Sequence, residues 1–131
     1  MTITAIIIVL IASLVIRVFE KIYRTKKEIE PAVDNFIKLL NKRDAGNVYT
    51  ILDYAHGNQI TKEDFTLHMD KLFDMVGKIS SHSLQNINVN LTSSGECNAI
   101  YVLNSSRKII ILYLSLRKIG EWRITGFRFE D

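Results

Sequence analysis

Residues 61–92, TKEDFTLHMDKLFDMVGKISSHSLQNINVNLT, hold the change of period that decides the fold. Before Gly77 the apolar residues Phe65, Leu67, Met69, Leu72, Phe73 and Val76 recur at helical spacing, with His68 on or beside their stripe. Thr61-Lys-Glu-Asp64 resembles a capping box with Asp in the place of the usual Glu, so a helix starts there. Gly77 stops it. After Gly77 the period falls to two: Asn86, Asn88 and Asn90 interleave with Ile87, Val89 and Leu91, as in a strand with one wet face.

Downstream the pattern stays at period two. CNAIYVL (97–103), KIIILYLSLR (108–117) and WRITGFRF (122–129) read as three more strands. They are separated by turns at 93–96, 104–107 and 118–121, and the near-continuous apolar run of 108–117 suits an interior strand. Gly126 marks a bulge or a close packing point.

Upstream the pattern is helical. Pro31 suits the first turn of a helix, and PAVDNFIKLLNKRD puts Val33, Phe36, Ile37 and Leu40 on one face. A break at Asp44-Ala-Gly-Asn precedes a second short helix, NVYTILDYA, capped by Asn47 and ended by His56-Gly57-Asn58. Helices segregated from an antiparallel meander mean α+β, not parallel βαβ units.

The front of the chain is different in kind. Residues 1–16, MTITAIIIVLIASLVI, carry no charge. Sixteen helical residues span about 24 Å. With Val18 and Phe19 included, and Arg17 snorkelling to the headgroups, the reach is about 28 Å, just enough for a hydrocarbon core. A single-pass transmembrane anchor over 1–19 is the expectation. A cleaved signal peptide fits less well, because the stretch lacks a basic n-region and a clear cleavage site. A buried core helix is the other alternative.

Residues 17–27 hold Arg17, Lys21, Arg24, Lys26 and Lys27 against Glu20, a net of +4 out of the chain's +3, and the other twelve bases and thirteen acids give −1. These five bases are candidate contacts for anionic headgroups. Residues 20–30 then form a basic juxtamembrane helix or linker, and residues 31–131 the domain. The positive-inside rule puts that domain in the cytoplasm. Near-neutral charge over the domain gives no nucleic-acid footprint.

The stretches FIKLLNKRDAGNVYTILDYA, ITKEDFTLHMDKLFDMVGKISS and EWRITGFRFED, in that order over residues 31–131, resemble the nuclear transport factor 2-like superfamily, and within it small membrane-anchored members of unknown function. The resemblance implies an N-terminal transmembrane helix followed by a cone-like domain of three helices packed on a curved four-stranded antiparallel sheet. It also implies display of the domain outside the cytoplasm, against the charge rule. It fixes no chemistry, since one fold hosts many functions.

Enzymes of that superfamily work inside the cone with an Asp or His in an apolar pocket. Here the resemblance makes His68 the base to consider, with Tyr101 and Tyr113 as partners and Tyr49, Phe65, Met69 and Phe73 as pocket walls. The same rings are equally core residues at helical and strand spacing.

No other constellation carries chemistry. The three His do not fall at metal-ligand spacing, Asp70 and Asp74 share a charged face with lysines, and Cys97 has no base beside it. No cofactor and no metal are expected. The reading is a non-catalytic, membrane-anchored interaction or scaffold domain, touching lipid through residues 1–27 and a protein partner through the sheet face or an edge strand. A homodimer through the sheet face is one form of that contact. The alternative is an apolar-ligand domain or cone-pocket enzyme using His68.

Overall fold

The computed structural model describes residues 2–56, 61–90 and 95–131, with only the backbone given for 53–56. The elements are α1 (Ile3–Asn41), α2 (Ala45–His56), α3 (Lys62–Val76), β1 (Ile79–Val89), β2 (Glu96–Ser105), β3 (Ile109–Ile119) and β4 (Glu121–Glu130). The class is α+β, with a four-stranded open antiparallel sheet in the order β1-β2-β3-β4. The expected turns around Gly57 and over 93–94 lie outside the described residues.

The first correction concerns α1. The helix expected to begin at Pro31 is the continuation of the one before it, so the described residues hold three helices in all, the apolar N-terminal one included. Pro31 does not open a helix; it sits inside one. Its ring removes one backbone donor. The helix nevertheless continues, because the buried stripe is in phase on both sides of the proline. Thr25 and Ile29 precede it, and Val33, Phe36, Ile37 and Leu40 follow on the same face.

The second correction concerns α2. Its cap is Asp44, whose Oδ1 accepts the backbone N–H of Asn47 at 3.2 Å, while Asn47 Nδ2 donates to Oδ2. The helix therefore begins earlier than a cap at Asn47 would allow. In contrast, α3 starts as its sequence predicts: Thr61 Oγ1 accepts the Asp64 N–H at 3.2 Å. Gly77 ends it at φ 73°.

Pairing in the meander sets which side chains face the helices. Tyr101 lies opposite Leu112, and Leu112 opposite Phe129. The helix-facing rows are Cys97, Ala99, Tyr101 and Leu103 on β2 and Ile110, Leu112, Leu114 and Leu116 on β3, all buried. A bulge between Leu84 and Asn86 lets both Leu84 and Ile87 join that face on β1. Others fall between Ile79 and Ser81 and beside Gly126, where Ser115 pairs with Gly126 but Leu116 with Ile124.

The helices cover one face of the sheet. α1 contacts both outer strands, β1 and β4, and α2 packs on β4 and α3. Phe36, Val48, Leu52, Met69 and Leu112 are fully removed from water at the junction. Each such side chain stabilises the fold by roughly 1.5–3 kcal/mol.

Candidate functional site

Among the described residues the helices leave two apolar surfaces uncovered. One is the N-terminal half of α1. Its 18-residue apolar stretch has a mean hydropathy of 2.5 and none of it is buried, so the helix is long and apolar enough to cross a membrane. Ile3, Leu10, Leu14, Ile16 and Phe19 are all exposed. Among the described residues nothing covers an apolar face of that size, which runs all the way round the helix.

The basic flank divides by helix face. Arg17, Arg24, Lys26 and Lys27 are exposed. Lys21 is on the face that also holds Thr25, and its Nζ donates to the Asn90 carbonyl at 3.2 Å, tying α1 to the end of β1. Lys27 lies 4.9 Å from the centre of the Tyr23 ring.

Seven residues further along α1 from Lys21, Glu28 Oε2 accepts the Trp122 indole N–H at 2.8 Å and lies 3.6 Å from Lys118 Nζ. The Trp122 bond, with Lys118 second to it, pulls the Glu28 carboxyl below its usual range.

The other uncovered surface is the sheet face away from the helices. Period two places Ile100 and Val102 of β2 and Ile109, Ile111 and Tyr113 of β3 there. Ile109 is 65% exposed. Tyr113 is half-buried under the Arg128 guanidinium, 4.3 Å from its ring centre. Towards the Asn90 end the face turns polar: Asn88 opposes Asn98 across β1 and β2, and Ser115 Oγ donates to Asn98 Oδ1 at 3.1 Å. A shallow depression of about 260 Å³ spans Asn86, Ile100, Tyr113 and Ser115.

The residues expected to line one pocket are not gathered. His68 is exposed on α3. Met69 and Phe73 are buried in the helix layer, and Tyr49 stacks on Phe65 at 5.3 Å. Tyr101 faces the helices, whereas Tyr113 is on the opposite side of the sheet. The gap bounded by Leu40, Leu72, Phe73, Val76 and Phe129 is too small for a water molecule.

A different histidine has the polar partners. His82 Nε2 lies 3.0 Å from Asp34 Oδ1, and its ring centre 5.9 Å from that of Tyr101. Burial pushes the Tyr101 hydroxyl up to about 12, with Glu30 and Asp34 adding to it, so it stays a neutral phenol. The pair lines the open groove between α1 and β1, with Lys38, Asn41 and Ser81. His82 shares a strand face with Leu84, but the bulge after Leu84 hides that parity in the sequence.

Among the described residues no group of three or more His, Cys, Asp or Glu is disposed to hold a metal ion. Burial raises the Cys97 thiol to about 11. Comparison with protein-family models finds no match, and no curated protein matches the chain.

Proposed function

We propose that this chain is a membrane-tethered, non-catalytic interaction domain. Residues 1–19 anchor it, the basic flank meets the headgroups, and the helix-free sheet face receives a protein partner within a membrane complex. The observation that carries the reading is the row Ile100, Val102, Ile109 and Ile111, left on the face opposite the one that the helices cover. Aliphatic side chains displayed beside an arginine-capped tyrosine and a polar margin have the composition of a binding patch: an apolar centre with a polar rim. The order of helices and meander is also what the superfamily resemblance implies, and a cone-like curvature of the sheet belongs to the same reading.

The test is a photo-crosslinking amino acid introduced at Ile109, with Leu67 on α3 as the exposed control. A discrete adduct from position 109, absent from position 67, supports the reading. A second copy of the chain in that adduct would mean a homodimer. No adduct from position 109 in intact membranes would count against the sheet face as a docking surface.

A further inference from the structure

We propose that the turn end of the sheet is a second membrane contact, binding the anionic headgroups of the bilayer that α1 enters through Arg117, Lys118 and Arg123. This rests on the anchored reading above and extends it from the helix to the domain.

The geometry follows from one rigid element. α1 has no break between its apolar half and the part that packs on the sheet. It runs alongside β1 in the opposite direction: Lys21 meets Asn90, Asp34 meets His82, and Asn41 meets Ile79. The end of the sheet nearest the apolar stretch is therefore the one holding Asn90 and Glu96. The β3–β4 turn is at the same end, because Lys118 N–H donates to Gly95 O at 2.8 Å and Asn90 N–H to Glu96 O at 3.1 Å.

The distances fit a headgroup layer. Beyond Phe19, Lys21 is about 3 Å and Glu28 about 13 Å along the helix axis. The headgroup region is roughly 5–7 Å deep on each side. Strands β3 and β4 continue from Lys118 and Trp122 into the turn at Gly120. Charges at that turn stand within about one screening length, roughly 8 Å, of the phosphates.

The bases at this end lie next to the basic flank of α1 and are held only by exposed ion pairs. Residues 17–27 carry a net of +4, and beside them Arg117, Lys118 and Arg123 stand among Glu28, Glu96 and Glu121, three bases against three acids. Arg117 lies 3.5 Å from Glu96, Lys118 3.6 Å from Glu28 and Arg123 3.9 Å from Glu121, all with substantially exposed side chains. Exposed pairs of that kind are weak enough for phosphate to compete.

The test uses Trp122, the chain's one tryptophan, which stands at this end. The full chain is reconstituted in vesicles of phosphatidylcholine, with or without phosphatidylglycerol, each doped with a lipid carrying a nitroxide on its headgroup. Trp122 should be quenched strongly with phosphatidylglycerol, weakly without it, and less at high salt. R117Q/K118Q/R123Q should lower the ratio of chains tilted with this turn against the bilayer to chains standing upright by about fivefold per charge, while R117K/R123K keeps it. The salt series on the unaltered chain does not depend on any variant folding. Equal quenching in both lipid mixtures, strong or weak, overturns the proposal. A carbonate wash of the same vesicles separates the two readings. A chain that resists it, yet shows lipid-independent quenching, keeps its anchor and loses only the sheet contact. A chain that washes off loses both.

Discussion

The Asn41 side chain forms two hydrogen bonds with the backbone of Ile79: Nδ2 donates to the Ile79 carbonyl at 2.9 Å, and Oδ1 accepts its N–H at 2.7 Å. An amide at the last residue of α1 thus stands in for a neighbouring strand at the first residue of β1. Ile79 is itself buried, so losing the amide leaves two part-buried backbone groups without their partner. Asn41→Ala should lower stability by about 2 kcal/mol, at roughly 1 kcal/mol per bond. Urea unfolding in mild detergent, with an unchanged slope, measures it. A loss within experimental error would mean that water replaces the amide.

Gly77 links α3 to β1 in a conformation that L-residues avoid, φ 73° and ψ −161°. A Cβ there would come within 2.7 Å of Ser106 Oγ. That hydroxyl cannot swing away without a penalty, because it accepts the Lys78 N–H at 3.2 Å. Gly77→Ala should destabilise by about 1–3 kcal/mol. Adding Ser106→Ala relieves the collision but not the backbone strain, so the double variant should recover only part of the loss. Full recovery would mean that the backbone strain is negligible.

Much of this was legible in the sequence, and the misreadings have definite causes. The switch of period at Gly77 gave both the helical layer and the meander. Pro31 misled because a proline is a local signal, whereas the stripe from Thr25 through Leu40 is a longer one and prevailed. The spacing leaves His68 on or beside the apolar stripe, and only the resemblance points it into a pocket. A helix turns about 100° per residue, and the buried stripe runs through Met69, Phe73 and Val76, which leaves His68 outside. Tyr101 and Tyr113 both sit on apolar strands, and only the register, Tyr101 opposite Leu112, puts them on different faces. The His82–Asp34 pair joins residues 48 apart in sequence, with a bulge between His82 and the regular part of its strand, and no local pattern announces it.

Glu28 makes an acid-sensitive link. Its carboxyl is held below the usual range first by the Trp122 indole and then by Lys118. A group whose folded value is depressed contributes stability above its unfolded value, near 4.5, and loses it as pH falls through the folded value. Trp122 emission should therefore change with a midpoint below the ordinary glutamate range. Glu28→Gln keeps an acceptor for the indole but no titrating group, and should flatten that change. A midpoint at the ordinary value would show that the bond does not hold the carboxylate.

The alkaline limit has a different origin. Burial raises the Cys97 thiol from 9.0 to about 11 and the Tyr101 phenol from 10.0 to about 12. Raised folded values contribute stability that is whole below the unfolded values and is lost between them. The fold should weaken from about pH 9 upward, through Cys97 first. At neutral pH the buried Cys97 is held as the thiol. A maleimide should therefore label the protein only after urea unfolds it, and labelling of the native chain at the rate of free cysteine would contradict the burial.

The interaction reading makes a demand on two isoleucines that folding does not. Ile109 is mostly exposed and Ile111 is half-buried on the helix-free face, so neither contributes to the helix–sheet core. Ile109→Ser with Ile111→Ser should change stability by less than about 1 kcal/mol, within the range of surface substitutions. If the face binds a partner, the same pair removes apolar area from the centre of the patch, where binding energy concentrates. The complex extracted in mild detergent should then lose mass on a native gel while the melting curve stays in place. A matched change at Leu67 of α3, equally exposed, should leave that mass alone. An unaltered chain that migrates as a monomer in every mild extract would remove the reason to assign this face a partner.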